Sequence, residues 1–150
     1  VNESIEWPVI VLLGAMIPIS VALENSGGTQ LLADWFVLGT DGWPVMLSLA
    51  ALMLVTMTLS DVLNNVATAL IAAPIALHVA EGLNVSSDPF LMAVAVAASC
   101  AFLTPIGHKN NTLIMGPGGY RFGDYWRMGL PLEVLVVITA IPMILLVWPL

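Results

Sequence analysis

Positive charge is scarce in this sequence. Lys109, Arg121 and Arg127 are its only basic residues, against ten Asp and Glu, for a formal net charge of −7. Nucleic-acid surfaces need clustered cations, so binding of DNA or RNA is excluded. Charge of either sign makes up only 9% of the 150 residues, while 59% are apolar. Soluble domains carry about 25% charged residues, and so few charged side chains cannot clothe a water-soluble globule of this size. A single cysteine, Cys100 in AVAASCAFL, excludes an internal disulfide and reads as a small packing residue. His78 and His108 lie far apart with no paired cysteines, which excludes the usual metal-ligand spacings. HExxH, G-x-S-x-G and G-x-x-x-x-G-K are all missing, so no enzyme is expected. The chain opens at Val1 with neither a Met nor a basic leader before its first apolar run. That run is not expected to be a signal peptide, and the sequence reads as a segment of a longer polypeptide.

Long apolar runs are present instead. Four blocks stand out, Trp7–Leu23, Trp43–Ala80, Pro89–Ile106 and Gly129–Leu150. Runs near 20 residues match a ~30 Å hydrocarbon layer at ~1.5 Å rise per residue, so the fold class is all-α transmembrane. Ser26-Gly27-Gly28 breaks the chain after the first block. Beyond it, Leu31, Leu32, Trp35 and Phe36 share a helical face with Asp34 off it, which predicts a short helix lying flat in the interface. Trp7, Trp43, Trp126 and Trp148 sit at block ends, and Tyr120 and Tyr125 in a connection, as an aromatic belt requires. The connections 24–42 and 81–88 hold acids and no Lys or Arg, whereas Arg121 and Arg127 lie in 116–128, just after Lys109. The positive-inside rule puts that last connection in the cytoplasm, with the start of the segment inside and its end outside.

The second block is too long for one crossing and is interrupted by Ser60–Asn65, SDVLNN. Its arms, Trp43–Leu59 and Val66–Ala80, reach about 25 Å and about 22 Å as helices, short for a full crossing. Either they form a re-entrant hairpin with its tip at the midplane, or both cross and the polar turn is wet. An ionised Asp at mid-bilayer costs ~2.5–3.5 kcal/mol, tolerable where Asp61, Asn64 and Asn65 face a polar cavity. At such a tip, Asn65 offers an acceptor and two donors, and Thr68 adds a hydroxyl one turn later. The second polar constellation is TPIGHKNNT, Thr104–Thr112. Pro105 and Gly107 allow an unwound break with free carbonyls. Alternatively the crossing ends near Ile106 and Lys109 snorkels to the headgroups. The small-residue stretches Ala67–Ala73 and Ala93–Ser99 favour close helix packing in either case.

Taken in order, the apolar helix, interfacial helix, Asn-tipped hairpin and SCAFLTPIGHKNNTLIMGPGGYRFGDYWRMGLPL resemble the second inverted repeat of the divalent anion/sodium symporter family, a branch of the ion transporter superfamily with a citrate-transporter-like domain. Ser99–Leu132 is the most specific part, and the likeness runs over almost the whole chain. Members with cytosolic regulatory domains between their halves look most similar; such a domain would lie upstream of Val1. The resemblance implies that residues 1–150 are the C-terminal part of a transmembrane transport domain. Its parts would be a helix 7–23, an interfacial helix 29–38, a re-entrant hairpin 43–80, a broken helix 89–116 and a last helix 129–149. It also implies that the tip Ser60–Thr68 faces the break Thr104–Asn111 near the midplane.

In the family a Ser-Asn-Thr tip helps hold sodium and the anion's oxygens. Here those positions read Asn64-Asn65-Val66, so only the central Asn65 is kept, with Thr68 as a substitute hydroxyl. By this resemblance Asn65, Thr68, Asn111 and Lys109 bind substrate, and Ser60, Asn64, Thr104 and Asn110 serve a cation. The implied activity is sodium-coupled symport of a small divalent anion, sulfate or a dicarboxylate, across the cytoplasmic membrane. No cofactor is expected beyond sodium as the coupling ion. Expected partners are the lipid bilayer, the anion, the first inverted repeat of the same polypeptide and a second copy in a homodimer. Two other readings stay open: a sodium/proton or oxyanion antiporter of the same superfamily, with Asp61 or His108 cycling protons, and a non-transporting membrane scaffold or sensor subunit.

Overall fold

The computed structural model describes residues 18, 21–22, 25–40, 42–63, 65–105 and 107–150. The helix expected over 7–23 falls almost wholly outside them. Among the described residues the chain is helical: α1 (Gly28–Gly39), α2 (Val45–Val62), α3 (Asn65–Leu83), α4 (Ser87–Ala98), α5 (Lys109–Met115), a 3-10 turn (Phe122–Asp124) and α6 (Tyr125–Val147). Three stretches are long and apolar enough to cross a membrane: Val45–Val62, Asn65–Leu83 and Phe122–Val147.

Helix α1 starts after Gly27, whose φ of 74° only glycine adopts without strain. It stops at Thr40, whose hydroxyl donates to the Phe36 carbonyl at 2.9 Å and satisfies an orphaned helix-end acceptor. The face it packs inward, against α3, is not the bulky one. Ala33 is buried and Val37 abuts Gly82, while Leu31, Leu32 and Trp35 are turned outward. In lipid there is no penalty for exposing large apolar groups, so small residues take the helix contact.

Helices α2 and α3 pack against each other as a hairpin, with Pro74 accommodated inside α3. The arms have 18 and 19 residues, about 27–28 Å at 1.5 Å rise, and so outreach the lengths read from the apolar run. Ser60 and Asp61 stay helical because their side chains are bonded across to another segment, as described below. Helix α4 is capped by Ser86, whose hydroxyl accepts from the Asp88 amide, with Asp88 in the first turn to match the dipole. It ends at Ala98, and the described residues between it and α5 are non-helical. Helix α6 begins at Tyr125, ahead of residue 129, where the apolar run begins. Gly129 is not a helix breaker here: its missing Cβ lets the backbone of α6 lie against the Phe102 carbonyl.

The core joins α2, α3, α4 and the far half of α6. Ala72, Ala76 and Ala80 of α3 and Ala93 and Ala97 of α4 let these helices approach closely, and Leu49, Met53, Met57 and Phe90 fill the space between them. Phe90 is fully buried, while Leu146 on the outer face of α6 is 81% exposed. Phe90→Ala is expected to destabilise the complete protein by ~3–5 kcal/mol, since a cavity of that size does not collapse. Leu146→Ala is expected to leave the thermal transition in detergent unchanged.

Candidate functional site

The end of the hairpin is bonded to the interruption between α4 and α5. The Ser60 hydroxyl donates to the Ala98 carbonyl at 2.6 Å, the first acceptor released where α4 stops. The same hydroxyl lies 3.2 Å from Asn65 Oδ1, so a single proton is shared unequally and ties both sides of the tip together. Asp61 Oδ1 accepts from the Leu103 amide at 2.9 Å, and the Thr104 amide also donates to this carboxylate. Thr104 returns a bond, its hydroxyl donating to the Asp61 carbonyl. Close approach needs Gly107: a Cβ there would stand 2.5 Å from the Ser60 carbonyl oxygen and 2.6 Å from the Ala101 Cβ.

Within the break, side chains replace the missing helical ladder. Asn111 Nδ2 donates to the Ala101 carbonyl at 2.9 Å and to the Thr104 carbonyl at 3.1 Å. The Gly107 amide donates to the Thr104 hydroxyl at 3.3 Å, and Tyr125 pins α5 to α6 by donating to the Asn111 carbonyl at 2.6 Å. His108 caps α5, its Nδ1 accepting from the Asn110 amide at 3.2 Å. This is how irregular backbone survives in an apolar protein: side chains supply partners to groups the helix leaves free. Thr104→Val removes both the hydroxyl bond to the tip and the acceptor for Gly107. A loss of ~1–3 kcal/mol in thermal stability is expected from the unmatched groups, with Thr104→Ser close to wild type.

Sequence reasoning missed Glu133. It is the one charged residue in the run Gly129–Leu150, and a lone acid in a membrane helix was a readable signal. In the structure it is 7% exposed, and its Oε1 has no hydrogen-bond partner.

Of the residues singled out for substrate, Asn65 is half-buried at the tip and Asn111 spans the break. Thr68 is fully buried one turn into α3, and its hydroxyl has no hydrogen-bond partner. The Lys109 side chain lies outside what is described. Of those singled out for a cation, Ser60 and Thr104 are brought together by the bonds above, Asn110 is exposed at the start of α5, and Asn64 is outside the described residues. A cavity of about 210 Å³ opens beside the break, lined by Ser99, Ala101, Phe102, His108, Asn110 and Asn111. A larger one, about 500 Å³, runs between α5 and α6 past Phe102, Ile114 and Leu135. Its walls are mainly apolar, so the smaller cavity is the better match for a polar solute.

Residues 1–150 match the citrate transporter family over their whole length. An uncharacterized transporter of Escherichia coli, YfbS, is 38% identical over 147 residues, covering 98% of this chain and 24% of that protein. A Synechocystis transporter, likewise uncharacterized, is 37% identical over 145 residues, again 24% of its length. A Chlamydomonas reinhardtii protein named for the response to sulfur deprivation is 39% identical over 97 residues, 65% of this chain and 17% of that one. The chain thus spans about a quarter of the first two relatives. Apolar helices, a polar interruption and a full-length match all agree: the chain belongs to the citrate transporter family and is part of a multi-pass membrane protein.

Proposed function

We propose that the complete protein is a secondary active transporter that moves a small divalent anion, sulfate or a dicarboxylate, across the cytoplasmic membrane together with sodium. The observation that carries this reading is the bonded junction of hairpin tip and helix break, with a polar cavity alongside it. Two interrupted helices meeting at one point give a polar solute hydrogen-bonding groups without exposing backbone to lipid. Asn65, the free amides opening α3, Thr68, Asn111 and Lys109 are assigned to the anion. The oxygens of Ser60, Asn64, Thr104 and Asn110 are assigned to sodium. The first inverted repeat supplies the facing half, and a homodimer is the working assembly. The segment starts inside and ends outside. Coupling needs no covalent chemistry, because it follows from the different stabilities of loaded and empty states.

The family's description supports an oxyanion: it names citrate, which carries two or more negative charges near neutral pH. The test is uptake of radiolabelled sulfate and succinate by vesicles holding the complete protein, with and without sodium. Asn65→Ala is expected to lower sodium-dependent uptake at least tenfold, about the effect of one lost charge-assisted bond. Unchanged uptake by this variant would remove the assignment.

A further inference from the structure

Few of the side chains lining the cavity of about 210 Å³ beside the break have a proton left to offer a solute. The Ser99 hydroxyl donates its one hydrogen to the Ala95 carbonyl at 3.1 Å. Asn111 spends both N–H groups of its amide, on the Ala101 and Thr104 carbonyls. The Ala101 and Phe102 side chains have none. Asn110 is exposed at the start of α5, and its amide accepts as readily as it donates. His108 differs in being held to one role. Its Nδ1 accepts from the Asn110 amide at 3.2 Å, so Nδ1 has no proton and the neutral ring has its N–H at Nε2. A second proton, on Nδ1, would face the Asn110 N–H and undo the cap of α5. The residue before it, Gly107, is seated against the Ser60 carbonyl, so the half-buried ring stands on backbone that the hairpin tip holds in place.

We infer that His108 is an anion ligand of the transporter, its Nε2–H donating to an oxygen of the solute in this cavity. An N–H paired with a charged oxygen makes a stronger bond than one between neutral groups. A donor that cannot turn acceptor favours an oxygen without a proton, as on sulfate or a fully ionised dicarboxylate. Asn111 then serves the anion by holding the wall in place, its own donors given to the chain. This inference deepens the transport reading and rests on it. It adds a specificity-determining side chain to the anion site, and it gives His108 a role other than cycling protons.

Two substitutions separate the ring's nitrogens. Asparagine puts its amide oxygen where Nδ1 lies and has nothing at Nε2, whereas glutamine puts its amide nitrogen near Nε2 and has nothing at Nδ1. In vesicles holding the complete protein, sodium-dependent uptake of radiolabelled sulfate and succinate gives KM and the maximal rate. The thermal transition of the same protein in detergent reports the cap. His108→Asn keeps a good helix cap and is expected to match the wild-type transition. Its KM for both anions is expected to rise about tenfold, the effect of one lost hydrogen bond to a charged group, with a smaller effect on the maximal rate. His108→Gln is expected to melt earlier, yet to keep KM within about threefold of wild type because a donor is retained. A His108→Asn protein with the wild-type KM overturns the assignment and leaves His108 as a cap alone. Equal increases in KM for the two variants also overturn it, since the effect would then follow the shape of the wall. So does a His108→Asn protein that melts as early as His108→Gln, because Nδ1 would not be the capping atom. Wild-type vesicles that take up neither anion count against the transport reading. Wild-type uptake with an unmoved KM in His108→Asn counts against His108 alone.

Discussion

Gly107→Val is expected to abolish anion uptake by the complete protein and to lower its thermal transition more than any other single change at the junction. The reason is geometric. A Cβ at this position meets the Ser60 carbonyl oxygen at 2.5 Å, the Ala101 Cβ at 2.6 Å and the Asp61 Cα at 3.0 Å. Two of these three atoms belong to backbone, which cannot swing aside as a side chain end does. Overpacking of this kind costs ~1–3 kcal/mol where neighbours can yield, and more where they cannot. Relief would require moving the hairpin tip away from the break, which severs the Ser60 and Asp61 bonds as well. Gly116 and Gly123 supply the control, because a Cβ at either meets nothing within 4 Å. Gly116→Ala and Gly123→Ala should therefore retain both uptake and stability, as read by transport assay and differential scanning in detergent.

Asn111→Asp is expected to be nearly as damaging, and to be worse than Asn111→Ala. The Asn111 amide nitrogen serves two carbonyls, at 2.9 and 3.1 Å. Alanine leaves both acceptors unmet; aspartate also sets a carboxylate against them. Two buried acceptors without donors together cost ~2–4 kcal/mol, which corresponds to a ~10²-fold smaller population of the ordered break. Sodium-dependent uptake should fall by about that factor for Asn111→Ala and to background for Asn111→Asp. Similar uptake by both variants would show that Asn111 is not the strut that holds the break.

The all-helical membrane class was legible in the sequence because lipid imposes it: few charges and long apolar runs admit hardly any other solution. Ser60, Thr104 and Asn111 could be singled out for a related reason, since polar groups inside apolar runs need partners. The pairings of Ser60 with Ala98 and of Thr104 with Asp61 were not legible, because they join positions 38 and 43 residues apart. Glu133 was overlooked through attention to clusters, although a lone acid in an apolar run is itself a signal. The apolar run begins at 129 but the last helix starts at Tyr125, and Gly129 is where the backbone of α6 meets Phe102. Along α1 the bulky Leu31, Leu32 and Trp35 lie outward, and the inward contact at Ala33 was not read from the sequence.

One measurement addresses the central claim, that Asn65 lines a wet pocket inside the membrane where an anion binds. In the complete protein, with its other cysteines replaced, Asn65→Cys is exposed to a membrane-impermeant maleimide from either side of the vesicle. The account predicts slow labelling that saturating sulfate or succinate suppresses in the presence of sodium. Rapid labelling that neither anion alters would place the residue in an open surface turn and contradict the account.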